Sequence, residues 1–363
     1  AALLSRLTEN HALKNSQLLS NTLLKKSKTT LAKKCSIVSS VMQNSRLVRL
    51  KAFGHQLPKH QLNNHDLAQT LDTSDEWITT RTGIKSRRIA SDEENSATLA
   101  LQAVNNLIDR YPELTHQSPE IVITATSTPD SYLPSISSYV LSNTPFANDS
   151  CMAFDLNAAC SGFVYALDLA RTLMISKNLE RALIIGSDTM SRAVDWKDRN
   201  ISVLFGDGAG CVWLERDPDF GIIDSRSSGQ ASGFDHLNTN GSYQTPDRHH
   251  LTMEGKEVFK YAVRQFTENA TTILFDNHFN TNDLDWFITH QANARIIHAV
   301  GKQLGIDSSK TVLTVDRHAN TSSASLPLAL SECAEKNQFK DGDLILLEGF
   351  GAGYTWGSIL MRF

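Results

Sequence analysis

Three stretches of this chain carry side chains that could do chemistry together. Ala153–Phe163 reads as a buried strand running into a helix, with Cys160 at the junction. A cysteine at a helix N-terminus meets free backbone N–H groups and the positive end of the dipole, and both favour the thiolate. The small neighbours Ala158, Ala159, Ser161 and Gly162 leave room for a substrate. Alone, Cys160 fits an inert core cysteine better than a nucleophile, because free cysteine is commonly buried. Leu284–Asn293 repeats the pattern, and His290 takes the junction, the position in a second half that Cys160 holds in the first. Val312–Ser322 then sets Asn320 at the start of a Ser/Ala-rich helix. A lone His or Asn at a helix start is usually a cap. Cys, His and Asn at three strand ends suit nucleophilic thiol chemistry.

The surrounding pattern is that of an α/β protein. Leu47–Phe53 reads as a strand ended by Gly54 and Pro58, and Asn64 opens a helix. Ile121–Thr126 and Leu183–Gly186 are buried strands, while Ser96–Ile108 and the run from Val164 to Leu173 have helical apolar spacing. Trp77 and Arg81 lie four apart and share one face if the segment is helical, where they suit stacking on an adenine and holding a phosphate; a helix cap with a buried Trp fits the same residues equally well. Lys85, Arg87 and Arg88 add positive charge nearby, and Asp195–Asn200 is a polar loop. Val203–Leu214 reads as strand, tight glycine turn, strand. Its glycines are spaced Gly206-x-Gly208-x-Gly210, and a strand follows, so a dinucleotide loop is excluded. The hexapeptide Gly208–Trp213 recurs as Gly351–Trp356, which suggests duplication. The expectation is two α/β halves, residues 45–219 with the nucleophile and 220–363 with His and Asn. Helices should cover both faces of each sheet, and functional residues should gather where the halves meet.

Composition narrows the function classes. The 363 residues are 40% hydrophobic and 20% charged, with a net charge of −4. That balance gives no argument for nucleic acid, and an acidic partner needs a local basic patch. The cysteines Cys35, Cys151, Cys160, Cys211 and Cys333 form no CxxC pair, so neither a disulfide framework nor a zinc site is suggested. His249 and His250 do not suggest a metal site either. No apolar run is long enough to cross a bilayer. Residues 1–44 differ from the rest: Glu9 is their sole acid, against Arg6, Lys14, Lys25, Lys26, Lys28, Lys33 and Lys34. That bias fits a poorly ordered leader or an organelle transit peptide. The compartment is then the cytoplasm, or a plastid or mitochondrion if the extension is a transit peptide. Met42 would make a natural start for the compact protein, and Leu3–Leu24 could form a short amphipathic helix.

From about Leu47 to Phe363 the sequence resembles the β-ketoacyl-acyl-carrier-protein synthase III family, the initiating condensing enzymes of type II fatty acid synthesis. The matching motifs are Asp72–Ile84, Ala158–Phe163, Asp195–Asn200 with Phe205–Gly210, His290–Arg295, Asp316–Ser322 and Gly349–Gly357, all in family order. The resemblance implies a thiolase-like fold with a duplicated five-layered α/β/α/β/α core, and a homodimer. It implies condensation of an acyl-CoA primer with malonyl-acyl-carrier protein through an acyl-Cys160 intermediate, without a cofactor or metal. His290 and Asn320 would donate to the malonyl thioester oxygen, and the N–H groups of Cys160 and Ala352 would form the oxyanion hole. Trp77, Arg81, Arg199, Gly255, Phe259 and Asn293 would bind CoA and its pantetheine arm. Leu133, Leu204 and Met253 would line the acyl pocket. Lys260, Arg295 and Lys302 would dock the acidic carrier protein.

Three departures from the family pattern stand out. Ala319 and Ala352 replace frequent glycines, and the Ala352 methyl narrows the site if its turn needs positive φ. Gln303 replaces a frequent basic residue of the docking patch, and Leu133 stands where some members carry a bulky aromatic. Other readings of the same residues are a relative that loads an unusual starter in secondary metabolism, a Cys-His-Asn hydrolase, and a non-catalytic acyl-carrier-binding protein. The sequence around Cys160 lacks the papain signature that the hydrolase reading needs.

Overall fold

The computed structural model describes residues 47–239 and 250–363. The expectations for residues 1–44, for Met42, for a helix over Leu3–Leu24 and for His249 lie outside the described residues. In chain order the first elements are β1 (Leu47–Gln56), β2 (His60–Asn63), α1 (Asn64–Ala68), α2 (Asp75–Thr82), β3 (Ser86–Ile89), α3 (Ser96–Arg110) and β4 (Ile121–Ala125). Next come α4 (Ile136–Ser142), β5 (Met152–Leu156), α5 (Gly162–Lys177), β6 (Arg181–Thr189), α6 (Arg199–Ser202) and β7 (Asp207–Asp217). They are followed by β8 (Gly221–Gly229), β9 (Leu237–Thr239), β10 (Leu251–Met253), α7 (Gly255–Asp276) and β11 (Trp286–Thr289). The chain closes with α8 (Ala294–Leu304), α9 (Val315–His318), α10 (Ser325–Glu335), β12 (Leu344–Gly351) and β13 (Thr355–Arg362).

Two sheets organise these elements. The first has the order β1-β7-β6-β4-β5, with β6, β4 and β5 parallel and the β1–β7 and β7–β6 pairs antiparallel. Every residue of β4 is buried, as a central parallel strand covered on both faces requires. The second sheet has the order β8-β13-β12-β11, with β11 and β12 parallel and the other pairs antiparallel. An isolated parallel bridge joins Phe287 of β11 to Thr311, supplying the outer position that β5 holds in the first sheet. The two sheets therefore match strand for strand.

That match corrects one expectation. The segment leading from Thr311 to Asn320 is the counterpart of β5 leading to Cys160, whereas His290 follows β11, the counterpart of β4. Locally both junctions look alike, and strand order alone distinguishes them.

Apolar burial stacks the layers. The long helix α5 is apolar almost all round, and its Phe163, Val164, Leu167 and Ala170 pack with Ile123 and Ile184 of the first sheet and Ile345 and Leu347 of the second. Leu326 and Leu330 of α10 join the same middle layer. Leu99, Ala103 and Leu107 of α3 cover the outer face of the first sheet against Val122, Leu183 and Trp213. Phe266 and Ile273 of α7, with Val300 of α8, cover the outer face of the second against Phe287, Leu346 and Leu360.

The expected strand–turn–strand over Val203–Leu214 is also corrected. Ser202 ends α6, and Gly208 and Gly210 lie inside the continuous strand β7. A Cβ on Gly210 would stand 2.7 Å from the Leu328 backbone nitrogen, so the glycines exist to let α10 lie against the sheet. Gly351–Trp356 instead crosses the turn from β12 to β13, so the repeated hexapeptide does not mark equivalent places.

Candidate active site

Cys160 sits in a single 3-10 turn, Ala159–Ser161, between β5 and α5. The end of β12 presses on this turn. A Cβ on Gly351 would lie 2.7 Å from the Cys160 nitrogen, and one on Gly349 3.1 Å from the Ser161 Cα. A side chain at Gly351 would force the Cys160 turn to move, and one at Gly349 would crowd Ser161 and Val164. The Ser161 and Thr355 hydroxyls lie 2.8 Å apart and also hydrogen-bond the carbonyls of Ala158 and Ala352. They tie the Cys160 turn to the Ala352 turn. Positive φ in that second turn falls on Gly353 (φ 131) and not on Ala352, so the alanine methyl brings no strain there. Burial pushes the Cys160 thiol up to about 12, against the lowering by the Ser322 hydroxyl, and the charge of Asp188 adds to the rise. The helix N-terminus favours thiolate, but burial outweighs it, and the resting side chain is a thiol.

His290 follows β11 and is held by its N–H, which donates to the Glu348 carbonyl at 2.7 Å. Its ring is buried, and Nδ1 lies 2.6 Å from the Ser325 Oγ. Burial lowers its pKa to about 3, so the imidazole is neutral. Asn320 is buried, and its main chain bridges to the loop before β7: its N–H donates to Leu204 O at 2.9 Å, and its carbonyl accepts from Gly206 N–H at 3.0 Å. The Ser322 N–H donates to Asn320 Oδ1 at 2.8 Å, which leaves the amide Nδ2 free to donate. Ala319, just before, is forced to φ 59, ψ −160, a region suited to glycine.

Three buried polar side chains that sequence reasoning missed hold these pieces in register. Asp188 accepts five hydrogen bonds, from the Ser127 and Ser323 N–H groups and the hydroxyls of Thr126, Thr128 and Ser323. It clamps the end of β4 to the turn after Asn320. Gln291 Oε1 accepts from the N–H groups of Thr314 and Val315, while its Nε2 donates to Thr289 O and Val312 O. It fixes the His290 segment against the segment that leads to Asn320. Ser325 touches the His290 ring. The run Thr321-Ser322-Ser323-Ala324-Ser325 was the available signal: so many hydroxyls beside a candidate Asn have few solvent-facing reasons to be there.

Cys160, His290, Asn320 and Ala352 line one cavity of about 460 Å³. Leu204, Met253, Gly255, Phe259 and Asn293 line it as well. Leu133 does not: it is 86% exposed, on the loop ahead of α4, and reaches no wall of the cavity in this chain. Trp77, Arg81 and Arg199 form a separate cluster, with the guanidinium carbons 4.7 and 5.2 Å from the Trp77 ring. Arg199 also bonds the carboxylate of Asp72 at 3.1 Å. Asn293 Nδ2 donates to the Arg81 carbonyl at 3.2 Å, so this cluster adjoins the cavity. Lys260 is exposed on α7 and paired with Glu257 at 2.8 Å, and Arg295 of α8 lies over the Phe259 ring. Lys302 is exposed near the end of α8. Gln303 accepts from the Thr267 hydroxyl at 2.9 Å and so joins α8 to α7. Among the described residues no group of His, Cys, Asp and Glu side chains could hold a metal ion, and no helix is long and apolar enough to cross a membrane.

Comparison with known proteins gives this arrangement its context. Residues 154–230 match the family model of 3-oxoacyl-[acyl-carrier-protein (ACP)] synthase III, and residues 274–363 match the model of its C-terminal part. A β-ketoacyl-[acyl-carrier-protein] synthase III of Xylella fastidiosa is 42% identical over 327 residues, covering 89% of this chain and 100% of the relative. The crystal structure of 3-oxoacyl-[acyl-carrier-protein] synthase III from Aquifex aeolicus superposes with a TM-score of 0.81 at 39% identity, covering 87% of this chain and 100% of that one. The priming β-ketosynthase of the R1128 polyketide pathway gives 0.82 at 30%, covering 87% and 96%. The chain belongs to the β-ketoacyl-acyl-carrier-protein synthase III family, and its five layers are the duplicated thiolase-like core.

Proposed function

We propose that this chain condenses an acyl-CoA primer with malonyl-acyl-carrier protein, giving a 3-oxoacyl-carrier protein, CoA and CO₂, and so initiates fatty acid synthesis. The observation that carries the reading is the shared cavity of Cys160, His290, Asn320 and the Ala352 turn. Cys160 attacks the primer thioester, and its proton ends on the departing CoA sulfur. The N–H groups of Cys160 and Ala352 hold the tetrahedral oxyanion. Malonyl-carrier protein then binds, and its C–CO₂ bond breaks. The electron pair becomes an enolate whose oxygen takes hydrogen bonds from His290 and Asn320. Two neutral donors suit this step, because a carboxylate would repel the growing charge; each contributes roughly 3 kcal/mol. The enolate carbon attacks the acyl carbonyl, and the Cys160 sulfur leaves as a thiolate that takes a proton from solvent to restore the resting thiol.

The other groups fit the same reading. Trp77 and Arg199 would take the adenine between them, with Arg81 beside it, and Gly255, Phe259 and Asn293 would pass the pantetheine arm inward. Leu204 and Met253 border the acyl group. Lys260, Arg295 and Lys302 receive the acidic carrier protein, which explains how a chain of net charge −4 meets an acidic partner. Residues 45–219 and 220–363 act as the two halves of the core. A homodimer would cover β5, an edge strand whose residues are all half-buried, and the exposed Tyr132 and Leu133 next to it. The compartment is the cytoplasm, or an organelle if residues 1–44 are a transit peptide.

The test uses the full chain with acetyl-, branched- and medium-chain acyl-CoA and malonyl-carrier protein. The expected results are CO₂ release, a 3-oxoacyl product, and acyl mass on Cys160 before malonyl is added. An unmodified Cys160 would exclude the mechanism, and thioester hydrolysis without malonyl consumption would make the chain a hydrolase. A preference for an unusual starter over acetyl and short branched primers would move it to secondary metabolism.

A further inference from the structure

We infer that Ser325 is a positioning residue that sets the tautomer of His290 so that Nε2–H faces the cavity. The inference rests on the function proposed above and assigns a part that the reaction needs. His290 Nδ1 and Ser325 Oγ lie 2.6 Å apart, and both residues are buried. Ser325 Oγ also accepts the Gln291 N–H, at 3.3 Å. A serine hydroxyl has one proton to give and lone pairs to accept with.

Two arrangements are open to the pair. If Nδ1 carried the ring proton, Ser325 would accept from both Nδ1 and Gln291. Its own proton would then need a further acceptor, and among the described residues it has none. A buried donor left without a partner is costly. If Ser325 instead donates to Nδ1, every polar atom of the pair is satisfied, and the ring proton sits on Nε2. Burial is the cause of the lowered pKa of His290, and no carboxylate bears on the ring, so the imidazole stays neutral and keeps this single proton.

The chemistry that follows is the reverse of a triad. In a hydrolytic triad a carboxylate or amide oxygen takes Nδ1–H, which turns the Nε2 lone pair toward the nucleophile as a base. A hydroxyl that donates to Nδ1 turns a donor toward the cavity. That suits an enolate oxygen and does not suit proton removal from a thiol or water. Ser325 therefore selects condensation over hydrolysis on the same Cys, His and Asn.

The experiment is a two-bond proton–nitrogen spectrum of the full chain labelled at histidine nitrogens, with the His290 signals identified by their loss in His290→Ala. The expected result is an unprotonated Nδ1 and a protonated Nε2 near neutral pH; a protonated Nδ1 overturns the inference, and this reading needs no folded variant. Kinetics supply the second arm. Removing an oxyanion donor outright costs about a hundredfold. Ser325→Ala frees the tautomers to exchange and is expected to slow malonyl decarboxylation about tenfold, with KM and self-acylation unchanged and Ser325→Thr near wild type. Unchanged decarboxylation, or equal loss in both half-reactions, overturns it. A chain that condenses while Nδ1 is protonated refutes the tautomer alone; a chain that does not condense while Nε2 is protonated refutes the function alone.

Discussion

Replacing Asn320 by Asp exchanges one neutral donor for a group that ionises, with almost no change of shape. The Ser322 N–H that now donates to Oδ1 at 2.8 Å can donate equally to a carboxylate oxygen, so the turn should keep its conformation. The second oxygen then stands where Nδ2 stood and faces the enolate. Loss of the donor is worth about 3 kcal/mol, or roughly 150-fold in rate. Repulsion between two anions in a buried cavity adds to this, so decarboxylation at pH 8 should fall at least 1000-fold, on the order of 4 kcal/mol. Under the proposed mechanism self-acylation depends on the Cys160 and Ala352 N–H groups, and it should change by less than about threefold. The loss should also depend on pH. A protonated carboxyl can donate again, so the Asn320→Asp rate should rise as pH falls from 8 to 6. The wild type has no such rise, because an amide does not ionise. The assay is CO₂ release from a malonyl thioester at several pH values, beside mass-spectrometric acylation of Cys160. Decarboxylation within tenfold of wild type at pH 8, or an equal fall in acylation, would sink the assignment of Asn320 to the enolate.

Other outcomes follow from the geometry. Ala319→Gly releases about 2 kcal/mol of strain at φ 59, ψ −160, offset by about 1.5 kcal/mol of chain entropy and lost methyl burial. Tm should rise by about 1–2 °C, and a fall in the melting temperature would show that the alanine is unstrained. His290, with its pKa lowered by burial to about 3, should leave wild-type decarboxylation flat between pH 5 and 8; an acid limb near 6.5 would show an ordinary, hydrated imidazole. Burial raises the Glu332 carboxyl, but hydrogen bonds from His318 and Arg317 outweigh it and hold the group well below its ordinary 4.5. Its contribution to stability is therefore present above pH 4.5 and lost as pH falls below it. Glu332→Gln should cost about 2 kcal/mol at pH 7 in a denaturant titration, with the gap closing in acid; a gap independent of pH contradicts the ion-pair account.

Short-range signals carried much of this site. Cys160, His290 and Asn320 each end a strand-like run, and Trp77 and Arg81 share a helical face, so type and spacing were enough to single them out. Long-range packing was not legible in the same way. Gly208 and Gly210 look like a turn until α10 is seen lying on β7. His290 looks like the counterpart of Cys160 until the strand order and the Phe287–Thr311 bridge assign that place to the Asn320 segment. Asp188 and Gln291 give no local signal, because the groups they bond lie up to 135 residues away, and Ser325 shows only as one hydroxyl in the Thr321–Ser325 run. Leu133 was assigned by its place in a family motif, and its exposure depends on what covers the loop ahead of α4.

The bridge from Asn320 to Leu204 and Gly206 bears on biosynthesis. A nascent chain emerging from the ribosome holds Cys160 long before Asn320, the amide proposed to receive the enolate, has been translated. Even then the amide is aimed only when the distant 204–206 loop has closed on it. On the proposed mechanism, a product truncated before Asn320 should be chemically inert toward malonyl thioesters.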